Sequence, residues 1–291
     1  MLSQGRNASY SHLSTHRWRR AATKRATATR VVIIAIGLAG LAGCATLPDG
    51  SRWGEHSDFG VGWERTEQAA VRAARNPWVW APLTGAAVMQ IDNWDHRVST
   101  WAVDNTPIFG SVTSAHHWSD YLQATAGVAY VTSVMATPSG DSGPEWWDAK
   151  LHGGTVGLGA IVATTATTEG LKALTGRERP NGGHNSFPSG HTSFAAVTDT
   201  LTSRDLESIP MSDGARTAAV IGLDTLTFAT GWARVEAGAH YPSDVLVGMS
   251  IGNFFGQMFT DAFLGDGLSQ RVALSFEPAK GGGEVVWNLR F

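Results

Sequence analysis

Residues 188–196 read Pro188-Ser189-Gly190-His191-Thr192-Ser193-Phe194-Ala195-Ala196, and they open a helix in a particular way. Proline and serine suit a helix start, glycine lets another group approach the backbone, and the free N–H groups of a first turn form an anion site. His191 stands beside whatever anion binds there. Alone, the stretch reads equally well as an ordinary capped helix with a surface histidine. Two flanking stretches change that. Upstream, Lys172 is followed after six residues by Arg179-Pro180. Seven positions is close to two helical turns, and Gly176 and Pro180 predict that the helix ends between the two cations, which then converge near a helix end. Downstream, Arg234, His240 and Asp244 follow with Pro242 favouring a helix start just after the histidine. Asp244 lies four positions beyond His240, near enough for its carboxylate to accept the ring N–H and fix which nitrogen carries the lone pair, making His240 a directed nucleophile. Each flank also has a bland alternative: cations offsetting a helix dipole, or a solvated face with an ion pair.

Together, Lys172, Arg179, Pro180, Pro188, Ser189, Gly190, His191, Arg234, His240 and Asp244 resemble, in type, order and spacing, the three-part signature of the type 2 phosphatidic acid phosphatase superfamily. That group also contains bacterial class A acid phosphatases and vanadium-dependent haloperoxidases. The resemblance covers about residues 80 to 262. It implies an all-α fold, a helical bundle, and metal-free hydrolysis of phosphomonoesters through a phosphohistidine, with no cofactor. It further implies that Lys172, Arg179 and Arg234 compensate the charge of the equatorial phosphate oxygens, a task many enzymes give to Mg²⁺. Ser189, Gly190 and the first-turn amides complete the cradle. His240 attacks phosphorus, Asp244 stabilises the imidazolium, and His191 protonates the leaving alkoxide. Two departures stand out. Ala233 occupies a place where the family usually has Ser, which implies one hydrogen bond fewer to the phosphate. The link from Asn181 to Phe187 is short, leaving less chain for a lid.

The charge distribution supports work at an envelope. The chain has 291 residues and a formal charge of −3, but residues 1–43 hold seven bases (Arg6, Arg17, Arg19, Arg20, Lys24, Arg25, Arg30) and no acids. The remainder therefore carries 15 bases against 25 acids, a net of −10, which excludes the general phosphate-neutralising field of a nucleic-acid binder. The basic leader precedes an uncharged run, Val31 to Gly43, too short to span a membrane comfortably and of signal-peptide length. Leu41-Ala42-Gly43-Cys44, with the single cysteine of the chain, resembles the bacterial lipoprotein box, so Cys44 is the expected lipidation site. Ala45, rather than Asp, implies sorting to the outer membrane. The expected protein is anchored by lipid in the cell envelope and faces the periplasm.

The expected domains are a signal peptide at 1–43, a tether at 44–63, a helical phosphatase domain at 64–265 and a β-hairpin at 266–291. Helical periodicity covers 64–75, 82–103, 114–136, 146–174, 192–204, 212–232 and 242–263. In the tail, Val272, Leu274 and Phe276 alternate with polar or small residues. The alternation resumes at Val285, Trp287, Leu289 and Phe291 after a Gly-rich turn, which predicts a hairpin packed on the helices.

Other chemistry-bearing residues are weaker. Asp92, Asp95 and His96, and His116-His117, suggest metal ligands but lack partners at recognised spacing, so structural or surface roles are expected. His184 is expected in a solvated loop, and Glu178 and Glu236 either moderate the cationic site or are exposed. Seven tryptophans, Trp78, Trp80, Trp94, Trp101, Trp118, Trp146 and Trp147, precede the catalytic segments. They read first as helix-packing residues and second as a rim at a bilayer interface, in which case the substrate is an envelope lipid phosphate or diphosphate. The competing functions are a haloperoxidase holding vanadate in the same pocket and a non-catalytic lipoprotein with a relic phosphate pocket.

Overall fold

The structure is a computed structural model that describes residues 45–264 and the backbone of two strands beyond them. Residues 45–264 are helical apart from their connections. The helices are α1 (Trp63–Arg75), α2 (Pro77–Val88), α3 (Trp94–Asn105), α4 (Val112–Ala136), α5 (Pro144–Thr175), α6 (Gly190–Ser208), α7 (Asp213–Glu236) and α8 (Pro242–Phe259). A π turn, Thr260–Leu264, extends α8. This is the all-α bundle that the sequence predicts. In the tail, Val272–Ala279 pairs antiparallel with Gly282–Leu289. The side chains of these strands, and with them the expected packing of a hairpin on the helices, lie outside the described residues, as do the signal segment 1–43 and Cys44.

The bundle is organised around α6 and α8, which pack unusually closely because α8 presents Gly248, Gly252 and Gly256 to α6. A Cβ at Gly248 would stand 2.7 Å from the Ser189 carbonyl oxygen, one at Gly252 would stand 2.7 Å from the Val197 nitrogen, and one at Gly256 would stand 2.8 Å from Thr200 Cβ. Any side chain on this stripe forces the helices apart, at a cost of about 1–3 kcal/mol for overpacking. The stripe thus sets the distance between the start of α6, which carries His191, and the start of α8, which follows His240. Around it lie three apolar clusters: Ala102, Ala196, Val235, Val245 and Met249 near the site, Tyr130, Ala160, Val197 and Leu201 in the middle, and Trp53, Val156 and Leu264 at the far end.

Two differences from the sequence reading have clear causes. The single helix expected over 82–103 is two helices, with a break at Ile91–Asn93 where Asp92 (φ 49°) and Asn93 (φ 56°) take left-handed backbone, a region that Asn and Asp tolerate better than most residues. The first of the two begins earlier, at Pro77, because the Asn76 side chain accepts the Trp78 N–H at 2.9 Å and Pro77 fits the first turn. The second difference concerns the expected tether. Trp53 is 1% exposed, its N–H donates to the Pro138 carbonyl at 2.8 Å, and Lys150 Nζ lies 5.5 Å from its ring. Asp58 N–H donates to the Phe263 carbonyl. The segment 45–62 is therefore docked on the body at Ala45, Trp53 and Asp58 rather than hanging free along its whole length.

Candidate active site

The site forms where the ends of α5, α6 and α7 meet the start of α8. Helix α5 stops at Gly176, whose φ of 55° and N–H to the Lys172 carbonyl close the last turn. This leaves Lys172 on the final turn, where Nζ bonds Glu169 at 2.5 Å and lies 3.0 Å from where a Gly190 Cβ would be. Gly190 therefore gives the ammonium room to reach the start of α6. Beyond Gly176, Arg179 is held by its Nε–H to the His184 carbonyl at 2.9 Å, and its N–H donates to the Gly183 carbonyl. Exposed His184 thus contributes its backbone rather than its ring.

Ser189 caps α6. Its hydroxyl is fully buried, 2.9 Å from the Thr192 hydroxyl and accepting the Thr192 N–H at 3.5 Å. The hydroxyl is occupied by the cap. The N–H groups of Gly190 and His191, in the first turn, have no intrahelical acceptor.

Arg234 is 4% exposed. One guanidinium nitrogen donates to the Ser119 hydroxyl at 3.1 Å, while Nε is buried with no hydrogen-bond partner among the described residues. Burial, reinforced by the charge of nearby Arg179, pushes its pKa down to about 10, so it remains charged at neutral pH. Leaving a buried N–H of a cation unpaired costs more than a neutral one would, and a ligand oxygen is the natural remedy.

His240 is 2% exposed, and here the geometry departs from the sequence reading. Its Nδ1 lies 2.6 Å from the Ser186 carbonyl oxygen, whereas Asp244 is 3.8 Å away. A carbonyl can only accept, so Nδ1 carries the hydrogen and Nε2 keeps the lone pair. The tautomer is the one expected, but a backbone carbonyl fixes it. Asp244 acts at slightly longer range as a charge. It accepts the Ser186 hydroxyl at 2.5 Å, the Tyr241 N–H at 2.8 Å and an Arg177 N–H at 2.6 Å. Burial alone would raise its pKa. These donors and His240 outweigh burial and hold the carboxyl below the usual range. For His240, burial lowers the pKa, with Arg234 and Arg179 acting in the same sense against Asp244.

His191 Nε2 lies 2.8 Å from Asp120 Oδ1 on α4. Burial and the charge of Arg234 push the imidazole down to about 4 despite Asp120, so the unliganded ring is neutral at pH 7. His191 also senses the charge of His240, which places the two rings in one electrostatic neighbourhood. The three separated stretches of sequence thus converge on one cup.

Residues 181–264 match a family model described as the PAP2 superfamily. The match takes in the second and third signature stretches, while Lys172 and Arg179 lie just upstream of it. At this level the relation supports phosphatase chemistry in general. Among solved structures, the chain is similar to one described as the first transmembrane PAP2 type phosphatidylglycerolphosphate phosphatase from Bacillus subtilis. The identity is 20% and the TM-score 0.45, over 67% of this chain and 94% of that chain. No curated protein matches. Among the described residues, no helix is long and apolar enough to cross a membrane.

Arg177 and Ser243, near the site, escaped the sequence reading, whereas Asp92, Asp95, His96, Glu178 and Glu236 were singled out by it. Arg177 bonds both Asp244 and Asp95, at 2.6 and 2.7 Å, and its guanidinium lies 4.2 Å from the Tyr241 ring centre. Asp95 in turn accepts the Ser243 N–H at 2.8 Å and the Ser243 hydroxyl, capping α8 from α3. Asp95 is thus a clamp on the start of α8. Asp92 pairs with exposed Arg97, and His96 packs against Tyr241. Among the described residues, no three His, Cys, Asp or Glu side chains form a group that could hold a metal ion. Glu236, expected to moderate the cationic site or be exposed, is fully buried and accepts N–H groups from Ile108, Phe109 and the Trp232 ring. It pins the loop before α4. Glu178 is exposed.

Proposed function

We propose that the chain is an envelope phosphatase that hydrolyses phosphomonoesters, lipid phosphates or diphosphates among them, through a phosphohistidine. The observation that carries this reading is the buried Arg234 guanidinium, with an unpartnered Nε, beside two imidazoles that are neutral in the empty site. Such a cup suits one tetrahedral anion. Lys172, Arg179 and Arg234 hold its oxygens, and the amides of Gly190 and His191 point the positive end of α6 at it. Nε2 of His240 attacks phosphorus as the ester P–O bond breaks, and the leaving alkoxide takes a proton from His191. Water then attacks phosphorus, gives its proton to His191, and releases inorganic phosphate as the N–P bond breaks. His191 can carry that proton because the arriving anion offsets the burial and the Arg234 charge that otherwise keep it neutral. Asp244 steadies the His240 imidazolium. In this reading the segment 1–43 is removed on export, a lipid on Cys44 holds the protein at the envelope, and the helical body is the catalytic domain.

The test is hydrolysis of p-nitrophenyl phosphate by wild type and His240→Ala, with and without EDTA. The expected result is turnover by wild type that EDTA does not touch, strong inhibition by vanadate, and a loss of roughly four orders of magnitude or more in the variant. Retained turnover in His240→Ala would refute the nucleophile, and EDTA-sensitive turnover restored by Mg²⁺ would refute the metal-free route.

A further inference from the structure

The two histidines of the site are held as opposite tautomers. His240 carries its hydrogen on Nδ1, against the Ser186 carbonyl, and keeps a lone pair on Nε2. His191 is the reverse, because its Nε2 lies 2.8 Å from Asp120 Oδ1. Burial alone would raise the pKa of Asp120, but the hydrogen bond from His191 and the neighbouring His116 and Arg234 hold it below the usual carboxylate range. An ionised carboxylate can only accept, so Nε2 of His191 carries the hydrogen and Nδ1 has the lone pair. Asp120 stands on a part of α4 that is fixed against the site. The residue before it, Ser119, is fully buried and accepts a hydrogen bond from Arg234 at 3.1 Å. Two turns further on, α4 approaches α6 so closely that a Cβ at Gly127 would stand 3.3 Å from the Phe194 ring. Successive residues of α4 thus hold the arginine and the histidine.

We infer that Asp120 is the positioning residue of His191: it holds Nε2–H and leaves Nδ1 as the atom that exchanges protons with the leaving group and with water, a role that rests on the phosphatase reading for its chemistry. As the ester P–O bond breaks, the alkoxide takes the Nδ1 proton while Nε2–H stays on Asp120. As water attacks phosphorus, its proton goes to Nδ1 and the N–P bond to His240 breaks. Asp120 remains a carboxylate throughout. Its charge favours the imidazolium form of His191 against burial and against Arg234 on α7 and His240 before α8, while the Lys172–Glu169 pair stands beside Gly190 at the end of α5. On α4 itself, exposed His116 lies 3.8 Å from the second Asp120 oxygen. The Asp120 side chain is 52% exposed, so the contact is worth little as a fastening, and its value lies in what it does to the ring.

The test compares the full chain with Asp120→Asn, Asp120→Ala and Asp120→Glu on p-nitrophenyl phosphate and on n-butyl phosphate. A departing alkoxide needs a proton far more than nitrophenolate does. In Asp120→Asn, kcat/KM should therefore fall about 10²-fold on the butyl ester and no more than about fivefold on the nitrophenyl ester, and Asp120→Glu should recover most of the loss. Melting temperature should stay within about 3 °C of wild type. The basic limb of the kcat profile, which reports His191 in the complex, should move about one pH unit lower in Asp120→Asn, because the proton on His191 is then held less firmly. His116→Gln should leave that limb in place. Proton NMR at pH 7 reads the contact without turnover: a His191 Nε2–H signal protected from exchange in wild type and absent in Asp120→Ala. No loss or an equal loss on the two esters, an unmoved limb, a limb that moves as far in His116→Gln, or the hydrogen on Nδ1 in wild type overturns the inference. No turnover by wild type on either ester, with the protected Nε2–H signal present and dependent on Asp120, removes the phosphatase reading and keeps the pair.

Discussion

Helix α6 buries charge at both ends, and the two ends are built on opposite terms. Toward its C-terminus, Arg204 pairs with Asp261 and, at 3.7 Å, with Glu207. There Asp205 accepts the Ser133 hydroxyl at 2.6 Å and Asp199 accepts the Thr227 hydroxyl at 2.9 Å. Each of these charged groups has an ion-pair or hydrogen-bond partner inside the fold. At the N-terminus, Arg234 and Arg179 crowd each other, and among the described residues no carboxylate comes within 4 Å of either. The first end is a fastening, complete without help. At the second, the carboxylates are engaged by Lys172, Arg177 and His191, and Arg234 and Arg179 are left facing each other, an arrangement that a phosphate would relieve.

Substitutions at the two ends should therefore separate activity from stability. Arg234→Gln should lower kcat/KM by roughly 10²–10³, the scale for losing one donor to transition-state charge. Its melting temperature should be unchanged or raised, because an uncompensated buried cation is gone. A marked loss of stability in this variant would make Arg234 a fastening too. Asp261→Asn should do the reverse: about 3 kcal/mol of stability lost in urea titrations, since Arg204 is left buried with less to pair with, and turnover per folded molecule within about twofold of wild type.

The smallest effect is a pH dependence. The native His191 value of about 4 lies below its unfolded value of 6.5, so the unfolded chain binds more protons between them. His191 therefore contributes stability that is complete above pH 6.5 and is lost as the pH falls through 4. Melting temperature should decline across that window in the empty protein. The decline should be shallower in His191→Asn and with saturating phosphate, which raises the histidine's value. An equal decline in all three would place the acid sensitivity elsewhere.

The helical fold was legible because periodicity is a local property of the chain, and the spacing of His191, His240 and Asp244 is local in the same way. What sequence reasoning missed is the supporting layer, because its contacts join distant segments. Asp95 and Arg177 are 82 residues apart, and nothing in their surroundings announces a pair. Asp120 and His191 are separated by 71 positions. The Ser186 carbonyl is a backbone group, to which the identity of residue 186 gives no clue. For Asp95 the sequence supports a structural role over a metal ligand, but not which contact it makes, because its partners Ser243 and Arg177 are distant in the chain. The break at Asp92-Asn93 could have been read from those two residues, but the apolar pattern of 82–103 runs straight across it.

The Ala45 carbonyl accepts the Gly140 N–H at 2.7 Å, which fixes where the described chain begins: beside the C-terminal end of α4, some 16 residues and about 24 Å along the helix from Asp120. A lipid on the adjacent Cys44 would then act as a pivot under one foot of the protein rather than as a long leash. Standing upright, the molecule would hold its reaction centre well above the headgroups. Tipped so that α4 lies flat, it would bring that centre down to the bilayer surface, making the tilt of the body, and not the reach of a tail, the variable that governs access.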